Sequence, residues 1–315
     1  MIKHSFGAGK RVFGLPVFCT GAALVPLHAF GLTITDLTTT LTAEDLANTV
    51  IGPGITISNV SYTGAAGAAG TFSGGSDNDI GIESGILLSS GLVLEADGPN
   101  DFDDNTTQFS TPGDEDLDSL VIVSTGSFDA AVLEFDFVST GPVVVFRYVF
   151  GSDEYNEYAN GGFNDVFGFF INDVNVALIP DTDIPVSIGT VNGGDPLTCT
   201  NGEDDDLDTF IDGNDPDCDP GDNIVGEDSE NAEFYIDNDC RTTFPGEPAV
   251  SSSCSLNIEA DGLTVVLTIT AIVNPGTNHI KLAIQDVMIE NLTHGSSSKP
   301  RALYRPTIPG SMPKK

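Results

Sequence analysis

Alternation of apolar and polar residues with a period of two constrains this chain more than any other feature. In residues 131–137, apolar side chains alternate with Glu134 and Asp136, which is the pattern of a half-buried strand. The same reasoning predicts strands at residues 144–150, 167–171, 263–273 and 280–284. In the longest of these, we expect Leu263 to share one face with Leu267, Ile269 and Ala271.

Turn residues separate these predicted strands. Gly141-Pro142 and Asn274-Pro275-Gly276 fall between pairs of them. Only residues 43–50 favour a helix, because Thr42 and Asp45 have the spacing of a capping box. We therefore predict an all-β fold, an antiparallel β-sandwich or jelly roll that carries a disulfide-containing acidic insertion.

The charge distribution excludes several classes of partner. The 315 residues contain 47 acidic and 11 basic side chains, for a net charge of −36, and most basic residues lie near the two ends. Such a surface repels a phosphate backbone, so nucleic acid and anionic membranes are excluded as partners. Disorder is excluded as well, since hydrophobic residues make up 40% of the chain.

The first 29 residues read as a secretory signal. Lys3, Lys10 and Arg11 precede a largely apolar stretch at residues 12–27, and cleavage near Ala29 fits the small residues there. A single-pass anchor is the competing interpretation, but glycine and proline interrupt a stretch that is short for a span. We expect the mature chain to have no transmembrane segment and to be secreted, extracellular or held at a bacterial cell surface.

Four cysteines lie in residues 197–254, the predicted acidic insertion. An even number of cysteines in an exported protein favours two disulfides, and three pairings are possible. We favour the connectivity that joins Cys199 to Cys218 and Cys240 to Cys254, because each bond closes a short loop. A zinc site is the rival, but it would normally show a CxxC motif and nearby histidines. The four residues are Cys199, Cys218, Cys240 and Cys254.

Several motifs resemble one protein family, the choice-of-anchor L domain. The most specific is FGSDEYNEYANGGFNDVFGFFIN at residues 150–172, and LEFDF at 133–137 agrees with it. Further matching stretches are GIESGILLSSG at 81–91, PGDEDLDSL at 112–120 and DGLTVVLTITAIVNPGTNHIKLAIQD at 261–286. This resemblance covers roughly residues 41–286 and implies an exported bacterial surface domain of poorly defined activity.

The segment CTNGEDDDLDTFIDGNDPDC at residues 199–218 is similar to Cys-bounded aspartate repeats of the thrombospondin type 3 style. It also fits the positions of an EF-hand-like loop, because oxygen donors at alternate positions can converge on one hard cation. The predicted ligands are Asp204, Asp206, Asp208, the Phe210 carbonyl, Asp212 and Asp215.

Calcium is the cofactor that we predict for this loop. A flexible, oxygen-rich loop suits calcium better than the smaller magnesium ion. Thr209 stands where an EF-hand has glycine and the last ligand is Asp215 instead of glutamate, so we expect affinity at the weaker, extracellular end of the range. The alternative is a solvated acidic loop held by a disulfide.

Other acidic groups offer a possible second site. Within the family motif, Asp153, Glu154 and Asp165 are the best candidates. The acidic residues of 101–104 and 114–118 are more typical of solvated loops.

Enzyme motifs are not evident in the sequence. It has no GxSxG, HExxH or P-loop pattern, and we expect His279 on the polar face of its strand. We therefore predict a calcium-binding, non-enzymatic β-domain with an adhesion, matrix or structural role, whose partner is an extracellular or cell-surface protein or glycan. A carbohydrate-binding module that uses Tyr155 and Tyr158 is the first alternative, and a polysaccharide hydrolase is the second.

The C-terminal tail departs from the family pattern. Residues 291–315 are basic and rich in proline, so we predict a disordered tail and a missing edge strand, and we interpret the change as a frameshift or divergent replacement. The predicted domain organisation is a signal peptide at 1–29, the sandwich at 30–196 and 255–290, the insertion at 197–254 and the tail at 291–315.

Overall fold

The structure is a computed structural model that describes most of the chain in several segments. They are residues 31–76, 78–100, 107–121, 126–155, 164–191, 231–238, 256–288 and 301–306. The strands in these segments are β1 (Thr33–Asp36), β2 (Ile55–Thr63), β3 (Ala69–Ser73), β4 (Ser84–Ser89), β5 (Gly126–Ser139), β6 (Val143–Ser152), β7 (Val166–Ile171), β8 (Val174–Asn175), β9 (Tyr235–Asp237), β10 (Gly262–Thr264), β11 (Leu267–Ile272), β12 (Thr277–Met288) and β13 (Arg301–Pro306).

These strands form two antiparallel sheets. The larger sheet has the order β1-β3-β4-β13-β6-β10-β9, and β11 also pairs with β6. The smaller sheet has the order β2-β5-β12-β7-β8. The two sheets pack face to face, so the predicted all-β, sandwich-like architecture is confirmed for the described residues.

Aromatic and branched side chains from both sheets fill the main core. Phe146 of the larger sheet lies 4.6 Å from Phe169 of the smaller sheet, measured between ring centroids, and Tyr148 lies 5.0 Å from Phe167. Burial of a large apolar side chain contributes about 1.5–3 kcal/mol to folding, so such pairs hold the sheets together. We call the face of the smaller sheet that meets this core its inner face, and the opposite one its outer face.

In the described segments, two α-helices flank the sheets. α1 (Ala43–Val50) starts at the predicted capping box, in which Thr42 Oγ1 accepts a hydrogen bond from the Asp45 amide at 3.2 Å. The Asp45 carboxylate accepts a bond from the Thr42 amide in return. The short helix α2 (Glu115–Asp118) lies against β7 and β12 on the outer face of the smaller sheet. Single 3₁₀ turns occupy Ala66–Ala68, Val93–Ala96, Ile188–Thr190 and Ala232–Phe234.

The strand predicted at residues 263–273 is divided into β10 and β11. Leu263 pairs with Gly151 of β6 and Leu267 pairs with Tyr148, so the chain has one extra residue between these positions. A bulge of this kind turns the following side chains to the other face. Leu263 therefore packs on the far side of the larger sheet, and its predicted place beside Leu267 was wrong.

Part of the C-terminal tail is also ordered, contrary to our expectation. Arg301–Pro306 forms β13, which pairs on one side with β4 and on the other with β6. This segment fills an interior position of the larger sheet, so the prediction of a wholly disordered tail does not hold for these six residues.

The interval predicted as an insertion contributes one strand to the sandwich. β9 lies at the edge of the larger sheet, beside β10. Asn238 follows it and is buried, where its side-chain amide donates to the carbonyls of Ile258 and Ala260 at 3.0 and 2.9 Å. The four cysteines of the predicted insertion lie outside the described residues, as does the predicted signal peptide.

Candidate cation site

Three strands that point side chains into the main core each have a carboxylate at the same end of the sandwich. On β12, Ile284 points into the main core and Asp286 is the next position with the same parity. On β7, Phe167 points into the core and Asp165 lies two residues earlier. Glu154 follows β6 with the same parity as its core residues. The apolar core thus ends in an acidic layer.

Glu154, Asp165 and Asp286 converge in this layer. One carboxylate oxygen from each lies within 4.8 Å of one from each of the others. All three side chains are buried, with 1%, 0% and 1% of their surface exposed. Carboxylates this close and this dry are costly when charged, because low-dielectric surroundings strengthen their repulsion and remove their hydration.

Backbone contacts fix the position of this cluster. Val287 donates its amide to Asp165 Oδ1 at 2.8 Å, which ties the start of β7 to the end of β12. Ile188 donates its amide to the Asp165 carbonyl at 3.2 Å. The Glu154 amide donates to Ser152 Oγ at 3.1 Å, which tightens the turn that leaves β6. The cluster therefore joins the larger sheet to the smaller one.

Tyr155 packs beside the cluster. Its ring is fully buried and lies 4.9 Å from the ring of Tyr235. Its hydroxyl makes no hydrogen bond with any described residue. Burial raises the pKa of the Tyr155 hydroxyl far above its usual value, and the nearby Asp165 carboxylate raises it further. The hydroxyl therefore stays protonated, and a buried polar group of this kind calls for a partner.

Basic side chains described by the structure are engaged away from this cluster. Arg147 donates to the Gly81 carbonyl at 3.2 Å. His279 and Lys281 contact acidic residues on the outer face of the smaller sheet. These three basic side chains therefore do not neutralise the buried carboxylates.

Lys281 serves a second acidic group, on the outer face. Its ammonium donates to Asp114 Oδ1 at 2.7 Å and to Asp116 Oδ2 at 2.6 Å. Gln285 donates to Asp118 Oδ1 at 2.8 Å, so α2 is held against β12 by two side chains. Partial burial lowers the pKa of Lys281, but the two carboxylates outweigh it and leave the pKa above its usual value.

The structure brings together part of the predicted second acidic site. Glu154 and Asp165 lie in the cluster, whereas Asp153 is buried but does not belong to it. Asp286 takes the third place, and our sequence reasoning missed it. The alternation of Ile280, Leu282 and Ile284 already marked the next such position as inward, and a carboxylate there was a detectable signal.

The chemistry of this cluster suits a hard cation. Carboxylate oxygens are the ligands that calcium and magnesium take in proteins, and charged oxygens in a dry site bind such ions by direct attraction. Glu154, Asp165 and Asp286 are the described side chains that could hold the ion. The predicted loop ligands Asp204, Asp206, Asp208, Phe210, Asp212 and Asp215 lie outside the described residues.

Tyr155 cannot serve as a stacking platform for a sugar. Its ring is fully buried against Tyr235, so the role that the carbohydrate-binding alternative gave it was wrong. Tyr158, the other residue of that alternative, lies outside the described residues. His279 lies on the polar outer face, as predicted, and contacts Asp136 at 2.9 Å.

Comparison with known proteins identifies one family. The family model described as the choice-of-anchor L domain matches residues 33–296. No curated protein and no solved structure matches the chain. Among the helices that the structure describes, none has the length and apolar character needed to cross a membrane.

Proposed function

The chain belongs to the choice-of-anchor L domain family, and from that premise we propose a calcium-binding domain with a structural or adhesive role that catalyses no reaction. Membership of this family places the chain among secreted or cell-surface proteins. Its partners in the proposal are extracellular or cell-surface proteins or glycans.

The convergence of Glu154, Asp165 and Asp286 is the observation that supports calcium binding most directly. Three carboxylates within 4.8 Å of one another, at the end of a hydrophobic core, repel one another unless protons, donors or a cation compensate them. A divalent ion compensates all three at once. The buried, protonated hydroxyl of Tyr155 beside Asp165 marks the same region as one built for a polar occupant.

Calcium fits this arrangement better than magnesium. The three carboxylates come from the ends of three different strands, so their spacing is set by the packing of the sandwich and not by one compact loop. Calcium accepts six to eight oxygens in varied geometries, whereas magnesium demands a near-ideal octahedron and retains its waters.

The ion would act on the fold itself. Glu154 follows a strand of the larger sheet, whereas Asp165 directly precedes β7 and Asp286 lies in β12, two strands of the smaller sheet. One bound ion would therefore close the sheets at this end. Binding to the folded state alone stabilises a protein by mass action, by about 2.7 kcal/mol when the free ion is at 100 times its Kd. Extracellular calcium would thereby stiffen the surface that the domain presents.

A second calcium site is part of the proposal. The aspartates between Cys199 and Cys218 have the spacing of a calcium loop, with Asp206 at its third position. This loop and the buried cluster would make separate contributions, since no residue belongs to both.

Thermal unfolding tests the proposed function. We expect the melting temperature to rise with millimolar calcium relative to chelator, and to rise less with magnesium. Asp206→Ala should remove the part of this rise in melting temperature that the loop contributes and keep the part that the buried cluster contributes. Equal melting temperatures in calcium, magnesium and chelator would overturn calcium binding. Turnover of a polysaccharide that is lost with one carboxylate substitution would overturn the non-enzymatic role.

A further inference from the structure

A cavity of about 270 Å³ opens on the outer face of the smaller sheet. The buried carboxylates lie toward the inner face, and none of them lines this cavity. It lies between the end of β2, the segment before α2, and β5. Its walls include Thr63, Pro112, Asp114, Ala130, Val132 and Glu134. Its lining therefore combines aliphatic groups with two carboxylates.

Asp114 has an oxygen available to a ligand. Its contacts with Lys281 and with the amides of Asp116 and Leu117 all go to Oδ1. Oδ2 accepts no hydrogen bond from any described residue. The position of Asp114 is nevertheless fixed, because it caps α2 and pairs with Lys281.

Glu134 is more open still. Its contact with another side chain in the described segments joins Oε1 to His279 Nε2 at 3.4 Å, which is longer than an ordinary N–H···O hydrogen bond. Its side chain is 34% exposed, so the carboxylate is accessible from solvent. A partner with a strong donor can therefore bind Glu134 without displacing a short hydrogen bond.

The charge around the cavity favours a cation. Four carboxylates lie on this part of the outer face, and Lys281 and His279 are the described basic side chains that contact them. With histidine neutral, the group remains negative. Positively charged ligands with hydrogen-bond donors are attracted to these carboxylates, whereas anions are repelled.

We propose that this cavity binds an alkylammonium group, the chemistry of a lysine side chain presented by a partner protein or peptide. The ammonium group binds Glu134, with Asp114 adding attraction. The aliphatic stem lies on Ala130 and Val132, which form the apolar wall. Lysine side chains combine these two characters, since a flexible apolar stem carries three donors at its end. The site is independent of calcium.

Titration of the full chain tests this site. The probe is Nα-acetyl-lysine N-methylamide, and its neutral counterpart is Nα-acetyl-norleucine N-methylamide. We expect saturable binding of the lysine probe, followed by NMR shifts of residues around the cavity, in calcium and in chelator alike. The norleucine probe should not saturate.

The matched variants are Glu134→Gln and Glu44→Gln. Glu134→Gln should weaken binding of the lysine probe about tenfold, because it removes a charge-assisted hydrogen bond. Glu44 is exposed on α1, and its substitution should leave binding unchanged. Equal binding of the two probes, unchanged binding by Glu134→Gln in a protein with unchanged melting temperature, or calcium-induced shifts at the cavity with none from lysine would each overturn the proposal.

Discussion

The two faces of β12 carry acidic surroundings of opposite kinds. On the outer face, Lys281 lies between Asp114 and Asp116, so a side chain of the protein compensates the acidic helix α2. On the inner face, Asp286 meets Glu154 and Asp165 in a buried cluster at the end of the core. One strand thus borders a solvated acidic group on its outer face and a buried one on its inner face.

This difference shows that the number of acidic residues is a poor guide to a cation site. The helix α2 is denser in carboxylates than the inner cluster, yet it is solvated and paired with Lys281. Burial and convergence, which depend on how three strands meet, make the inner cluster the better candidate for calcium.

The largest expected effect comes from neutralising Asp286, a carboxylate of the buried cluster. Asp286→Asn should remove most of the cluster's calcium-dependent stabilisation, about 2.7 kcal/mol at an ion concentration of 100 Kd. In chelator the same variant should lose much less stability than in calcium, because the contribution of the ion is absent there. Asp118→Asn on the outer face is the control and should keep the calcium response. Denaturant unfolding in calcium and in chelator measures both, and an equal loss in the two buffers would contradict the role of Asp286.

Removal of Lys281 on the outer face should lower stability without changing the response to calcium. Lys281→Met leaves Asp114 without its ion pair and should cost about 2 kcal/mol, a value below that of a fully buried pair because Asp116 is exposed. The loss should be the same with calcium and with chelator, measured by urea unfolding. A calcium-dependent loss would show that the two faces are coupled.

Crowding the tyrosines beside the cluster should have a smaller effect. A Cβ at Gly262 would lie 2.5 Å from a ring atom of Tyr235 and 2.6 Å from one of Tyr155, so both rings must shift. Gly262→Ala should cost about 1.5 kcal/mol and weaken the calcium response, since Tyr155 adjoins Asp165. Gly141→Ala is the matched control, because nothing lies within 4 Å of its added Cβ. If calcium affinity survives in a destabilised Gly262→Ala protein, Tyr155 has no part in shaping the site.

The smallest effect concerns pH on the outer face. Partial burial lowers the pKa of His279, but contacts with Asp136 and Glu134 outweigh it and leave the pKa above its usual value. A raised pKa in the folded state stabilises the protein fully below the unfolded pKa of about 6.5, and this contribution disappears as pH rises through the folded value.

His279→Gln should therefore cost a few tenths of a kcal/mol at about pH 5.5 and almost nothing at about pH 9, because the pair is partly exposed. The pH dependence of urea unfolding for the two proteins measures the difference. A larger cost at high pH would contradict the sign that we assign.

Much of the sandwich was predictable because the buried and exposed faces of its strands produce alternating apolar and polar residues in the sequence. Alternation in residues 131–137 and 144–150 predicted β5 and β6 with the turn between them, and the capping box predicted α1 with its bounds. These signals are local, so no knowledge of distant contacts was needed.

Features that depend on distant pairing escaped prediction. β13 joins β4 and β6, strands far away in sequence, and a segment with basic residues and a terminal proline shows little alternation of its own. The bulge that moves Leu263 to the other face is likewise set by the register with β6. Asp286 was detectable, but its meeting with Glu154 depends on how the two sheets pack.

Crystals grown in millimolar calcium would test the buried site most directly, through anomalous diffraction. We expect a peak among the carboxylate oxygens of Glu154, Asp165 and Asp286, at about 2.3–2.6 Å from its ligands. If the same crystals show only water or direct hydrogen bonds between these side chains, the buried carboxylates do not form a calcium site.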